Sequence, residues 1–287
     1  MVIETTYQID EQAYIEQLWS EQPAERIAGL DSLAKIKCAN AAPAILTLLK
    51  TESVEGVRQK AVKTLGEIAA PDAVTDLIRI LKSSESSDVR ASAAYALGKI
   101  AQPDAIPALT ACIQNKAEDF DVLIKSLLAL SDYKTPSAWE ALRQTLSKGS
   151  NPNLRQRIIG VLGKAKYLPA VPEIELALAP EEDTQIRRAA AKALVILQGV
   201  ACIPSISRIL TEPGQADLQL LIIEQLDDFD DPVALKPMCQ ALIEIPDSGI
   251  RSVVKNALKK NSDWRQKSGQ FLSNLEKKPY TQAGLPA

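Results

Sequence analysis

The sequence predicts an all-α solenoid of about eight helical hairpins. Three observations carry that expectation: a unit repeated about every 32 residues, apolar content supplied mainly by Ala, Leu and Ile, and helical spacing of the apolar residues inside each unit. The repeat is plainest where "GVRQKAVKTLGEIAAPDAVTDLIRILK" (residues 56–82) is followed by "DVRASAAYALGKIAQPDAIPALTACIQ" (residues 88–114). Aligned on the central leucine, the units give Leu33, Leu65, Leu97, Leu130, Leu162, Leu194, Leu226 and Leu258, spaced by 32 residues with one step of 33. Pro43, Pro107, Pro172, Pro204 and Pro237 form a second series in register with the first, and Thr75 and Glu140 fill its two gaps. Aromatic residues make up only 4% of the chain, which suits helix-on-helix packing better than a sheet.

The elements follow in order. Residues 1–22 hold a leading helix over "EQAYIEQLWS", with Tyr14, Leu18 and Trp19 placed to cover the first hairpin. The repeat array occupies residues 23–260. In each unit a first helix, exemplified by Val57, Ala61, Leu65 and Ile68, gives way at "AAPDA" to a second helix carrying Val74, Leu77 and Leu81. The marker proline opens the second helix, where its missing N–H costs no hydrogen bond. Gly66, Gly98 and Gly163 follow the central leucine, where a side chain would hold neighbouring first helices apart. One hairpin buries too little apolar surface to offset its ordering entropy, so the units stabilise one another by stacking. A closing helix is expected within residues 261–278 and a loose tail over 279–287.

The charge balance narrows the function. With 33 basic and 36 acidic residues spread along the chain, the net charge of −3 supplies no concentrated positive field for nucleic acid. The start "MVIETTYQID" lacks the features of a secretory leader, and no apolar run is expected to be long enough to insert into a membrane. A cytoplasmic location is expected. Cys38, Cys112, Cys202 and Cys239 are too scattered for a metal or redox motif and read as reduced, packed thiols. The chain has no histidine, which excludes Ser/His/Asp and Cys/His nucleophile systems and zinc sites built on imidazole. It also lacks the glycine-rich loops of nucleotide-binding sites.

Two charged patterns remain. Asp227, Asp228, Asp230 and Asp231 in "LDDFDDP" fall in the solvated turn between helices, although four carboxylates so close are also the chemistry of a hard-cation site. Arg58, Arg90, Arg155, Arg187 and Arg251 recur at the start of the first helix. They suit either hydrogen bonding to carbonyls and carboxylates between units or a grip on an acidic partner.

The pattern "DVRxxAAxALGxI" followed by "PDAxPAL" at residues 88–109 resembles the HEAT-like repeat of phycobilisome bilin lyases, and the resemblance extends over roughly residues 23–260. It implies a right-handed α–α superhelix. In the E/F-type lyases of that family, paired subunits attach a linear tetrapyrrole to a phycobiliprotein cysteine or remove it. The implied partners are therefore a protein client, such as a phycobiliprotein subunit, and a second HEAT-repeat lyase subunit. A transient phycocyanobilin ligand is implied, with no resident cofactor and no metal. The fourth and seventh units depart from the pattern by losing its Arg and Gly. The histidine-dependent deoxyhypusine hydroxylases, also HEAT-like, are excluded by composition. A non-catalytic scaffold for protein partners is the other reading that the residues leave open.

In HEAT-like solenoids the second helices line the inner curve. Their non-core positions here include Asp76, Arg79, Thr110, Gln114, Arg143, Gln144, Glu173, Arg208, Gln240 and Glu244. This face suits recognition of a folded protein. It also suits a bilin whose propionates pair with Arg79, Arg143 or Arg208 while Asp76 or Glu173 faces the pyrrole nitrogens. Trp139 aligns with the core positions Val74 and Ile106.

Overall fold

The computed structural model describes residues 11–260 apart from 84, 147–150 and 230, together with residue 269. The described residues form α-helices and short 3₁₀ turns without a strand. The chain divides into two compact units, residues 1–158 and 159–287.

In the first unit, α1 (Glu11–Gln17) precedes four hairpins: α2 (Pro23–Lys35) with α3 (Ala42–Thr51), α4 (Glu55–Glu67) with α5 (Val74–Leu81), α6 (Ser87–Ile100) with α7 (Ile106–Gln114), and α8 (Phe120–Tyr133) with α9 (Pro136–Gln144). The first helices pack in sequence, α1 on α2, α2 on α4, α4 on α6 and α6 on α8. The unit boundary falls inside α10 (Pro152–Lys164). The second unit continues with α11 (Val171–Leu176), α12 (Thr184–Gln198), α13 (Ile203–Ser207), α14 (Ala216–Phe229), α15 (Pro232–Glu244) and α16 (Ser248–Lys260). There α12 packs on α14 and α14 on α16. The predicted closing helix and tail lie outside the described residues, residue 269 excepted.

Every central leucine of the array, from Leu33 to Leu258, is fully buried. The glycine after it has the expected role. A methyl group added at Gly66 would sit 2.5 Å from Ala96 Cα, and one at Gly98 would sit 2.7 Å from Ala129 Cα. In the second unit, Gly163 meets Ala193 Cβ at 2.8 Å. Glycine thus faces alanine at these three helix crossings, where the backbones approach without intervening side chains.

Five of the first helices, α2, α4, α6, α8 and α10, share one ending. Lys37, Ala69, Ala101, Lys134 and Lys166, each four residues beyond a central leucine, are left-handed, with φ between 51° and 56°. In three hairpins the central leucine carbonyl accepts the next amide, from Cys38, Ala70 and Tyr167 at 3.0–3.1 Å. This is the Schellman closure, which satisfies a helix-terminal carbonyl and redirects the chain. A 3₁₀ turn such as Pro71–Ala73 or Pro103–Ala105 then leads into the second helix.

The structure corrects three sequence expectations. Pro237 does not open its helix: α15 begins at Pro232, and Pro237 lies inside it. The cause is the local sequence, since the Asp231 carboxylate accepts the Val233 amide at 2.8 Å and caps a helix with proline at its first position. The fourth hairpin uses the same device, with Thr135 capping α9 ahead of Pro136. Trp19 is 51% exposed because α1 ends at Gln17, whereas Leu18 is buried as expected. Finally, a window within Thr184–Thr211 is long and apolar enough to cross a membrane by composition. The chain bends inside it at Gly199 (φ 54°), and Leu194, Ile203, Ile206 and Leu210 are buried in the protein.

Candidate protein-interaction surface

The recurring arginines brace the loops between hairpins. Arg26 of α2 donates to the carbonyls of Ser20 (2.7 Å) and Glu21 (3.1 Å) before its hairpin and pairs with Glu52 (2.7 Å) after it. Arg58 repeats the pattern with the carbonyls of Leu49 (2.8 Å) and Glu52 (2.9 Å) and the carboxylate of Glu85. Arg90 takes the carbonyl of Glu85 and the carboxylate of Glu118. In the second unit, Arg187 donates to Leu178 O (3.0 Å) and pairs with Glu212, and Arg251 donates to the carbonyls of Ile245 (2.8 Å) and Pro246 (2.9 Å). Arg155 and Arg187 are buried. Each guanidinium with both partners bridges the loop before its hairpin to the loop after it, as a rigid five-donor fork allows. The inter-unit alternative therefore holds for Arg58, Arg90, Arg187 and Arg251.

The sequence reading missed part of this ladder. Arg26 belongs to it, and so does Gln219, which stands in the arginine position of the seventh hairpin and donates to the carbonyls of Leu210 and Glu212, both at 2.8 Å. The partner glutamates were also missed. Their signal is a Glu five to seven residues before the next ladder position, as in "ESVEGVR" (residues 52–58). Variable loop length takes it out of register with the leucines.

The ten candidate binding residues lie on the second helices, except that Arg208 begins the 3₁₀ turn after α13. Several are engaged with near neighbours. Arg79 pairs with Asp76. Glu140 receives Arg143 (2.7 and 2.9 Å) and Gln144 (3.1 Å), and Gln240 donates to Glu244 at 2.8 Å. The Thr110 hydroxyl is turned back onto Ile106 O at 2.7 Å. Glu173 is half-buried, and Gln114 and Arg208 are exposed. Asp76 and Arg79 share a cavity of about 360 Å³ beside α3 and α5, where Leu46, Leu49 and Ile80 supply apolar wall and Lys50 a further cation. Gln114 lines a different cavity, near the start of α8. Arg143 lies on α9, which packs beyond α7 from α5. Trp139 is half-buried, as is Ile106, whereas Val74 is buried, so the aligned position is not uniformly a core position as expected.

The remaining candidates are structural. Asp227 pairs with Lys260 at 2.9 Å and, with Asp228, lies in the last turn of α14 and not in the turn beyond it. Asp231 is the cap of α15, and Asp230 lies outside the described residues. Among the described residues, no three His, Cys, Asp or Glu converge as metal ligands. All four cysteines are free, and Cys38, Cys112 and Cys202 are buried. Burial raises the pKa of every one of them, that of Cys202 to about 11. Since the thiolate is the reactive form, Cys202 should react with iodoacetamide at pH 8 roughly a hundredfold more slowly than an unperturbed cysteine, with half-buried Cys239 labelled first. Mass spectrometry of a labelling time course checks the order.

The family model for HEAT repeats matches residues 11–98 and 76–149. No curated protein sequence gives a significant match. Among solved structures, the karyopherin Kap121p bound to the extreme C-terminus of the protein phosphatase Cdc14p is 16% identical, with a TM-score of 0.62 over 92% of this chain and 35% of that one. The chain thus spans about a third of the karyopherin, and the likeness is one of fold. The complex of CpcE and CpcF of phycocyanin lyase from Nostoc sp. PCC7120 is 18% identical over 96% of this chain and 98% of that one, with a TM-score of 0.38. Human deoxyhypusine hydroxylase in complex with glycerol is 17% identical over 90% and 96%, with a TM-score of 0.31.

Proposed function

We propose that the protein is a HEAT-repeat scaffold that binds a protein client on the exposed face of its second helices, with the α3/α5 cavity as the contact centre. One observation carries this reading: around an apolar wall of Leu46, Leu49 and Ile80, the cavity gathers Lys50, Asp76 and Arg79, and the Arg79 side chain is 72% exposed. An apolar centre with a charged rim and an accessible arginine has the anatomy of a binding hot spot. The ladder pair Arg58 and Glu85 also lines this cavity, but it is tied up with loop carbonyls and with itself, so Lys50, Asp76 and Arg79 are the charges left for a client.

The test is affinity capture of clients from the native cell extract, compared with a Lys50→Glu/Arg79→Glu variant. The variant should lose at least about tenfold in capture of the same client while keeping its helical circular dichroism. Undiminished capture would move the contact elsewhere.

The finer reading, in which the client is a phycobiliprotein and the ligand phycocyanobilin, draws support from the same cavity. It sets the Arg79 guanidinium next to the Asp76 carboxylate, one suited to a propionate and the other to a pyrrole N–H. A shifted and sharpened absorption band on mixing with phycocyanobilin, with or without a second HEAT-repeat subunit, is the expected result. A spectrum equal to that of free bilin removes the pigment and leaves the scaffold.

A further inference from the structure

The ladder has one missing rung within the first unit. Counting seven residues back from each central leucine gives Arg26, Arg58 and Arg90, and then Leu123. Leu123 is 5% exposed and carries no donor, so the loop preceding the fourth hairpin is not braced as the earlier loops are. The carbonyls that a guanidinium would take can be named from its neighbours. Arg58 uses those nine and six residues before it, and Arg90 the one five before it. At the fourth hairpin these are Gln114, Ala117 and Glu118. No donor among the described residues reaches any of the three.

The site is open. A cavity of about 530 Å³ lies there, within the usual range for ligand pockets. Ile113, Phe120, Leu123 and Leu154 give it apolar lining, and Gln114 and Glu118 belong to its wall. Phe120 is 40% exposed. The Glu118 carboxylate is held by Arg90 at 2.5 Å through Oε1. The charged groups at the mouth are Lys116 and Glu118, with Asp119 and Asp121 following at the start of α8, so carboxylates outnumber the lysine.

We infer that this gap receives an arginine side chain from a partner protein. The incoming guanidinium donates to two of the carbonyls of Gln114, Ala117 and Glu118, the positions that Arg58 and Arg90 use between them at their own loops, and its methylenes lie on Phe120 and Leu123. The fold supplies the precedent, since carbonyls five to nine residues before the rung accept from Arg or Gln at the other described rungs, across loops of differing length. A planar fork of donors suits convergent carbonyls better than a lysine ammonium does. The inference rests on the scaffold reading and names the chemistry a client segment presents. Its test uses no client, so it can fail while client capture stands.

Methyl-labelled protein is titrated with the capped peptide acetyl-Ala-Arg-Ala-amide and with the same peptide carrying norleucine, to concentrations of about 10 mM so that weak contacts register. The arginine peptide should shift the Ile113, Leu123 and Leu154 methyl signals saturably, and the norleucine peptide should bind at least tenfold more weakly. Leu123→Arg should abolish the response by filling the gap from within. Leu123→Gln, copying Gln219, should do the same without adding a charge, which guards against a folding defect in the first variant. Absence of a saturable shift in the wild type, equal response to norleucine, or unchanged binding in both variants would overturn the inference.

Discussion

Replacing Gly98 with alanine is expected to destabilise the first unit by about 2 kcal/mol, although helix propensity alone argues the opposite by about 1 kcal/mol. The added methyl would lie 2.7 Å from Ala129 Cα and 2.8 Å from Ala129 Cβ, and the obstacle at the closer contact is backbone, which no rotamer change can move. Either α8 shifts outward or the helix distorts, and both loosen the packing of α6 on α8. Gly98→Val should cost more. Gly56, also helical, has nothing within 4 Å of an added methyl, so Gly56→Ala should be neutral or stabilising by up to about 1 kcal/mol. Chemical denaturation of the three variants checks the contrast in sign. Equal behaviour of Gly98→Ala and Gly56→Ala would mean that the close approach carries no weight.

Arg187→Ala should cost the second unit about 3 kcal/mol. The side chain is fully buried, donates to Leu178 O and holds Glu212, whose own side chain is 23% exposed. Truncation leaves a carbonyl without its donor, a glutamate without its cation and a cavity where the methylenes lay. The partial exposure of Glu212 places the loss toward the lower end of the range for broken buried pairs. Arg187→Gln should recover most of it, because Gln219 shows that an amide at this step can serve two loop carbonyls. A stability order of wild type, Gln, Ala in thermal unfolding followed by circular dichroism is the expected outcome. A glutamine variant no better than alanine would show that charge, and not carbonyl bonding, dominates.

The hairpins were legible because leucine and glycine positions are fixed by packing between first helices, and packing repeats at constant spacing. The left-handed ends at Ala69 and Ala101 were not, since alanine carries no sign of that conformation. The ladder was half legible: the arginines share the leucine register, whereas their glutamates ride on loops of unequal length. The early starts of α9 and α15 were hidden because the proline series, read as one marker, merges two kinds of helix opening. The candidate surface was legible only as a set of exposed positions. That Asp76 and Arg79 meet over Leu46 and Ile80 depends on rotamers and on α3, and no periodicity encodes either.

The ladder also governs how the array yields under load. A clasp that reaches the joints on both sides of a hairpin makes opening one joint tug on the next, so strain spreads instead of concentrating. At Leu123 the series is one clasp short, since the loop ahead of the fourth hairpin keeps Arg90's hold on Glu118 but gains none from its own first helix, and a bound segment that supplied the absent clasp would be expected to restore the sharing.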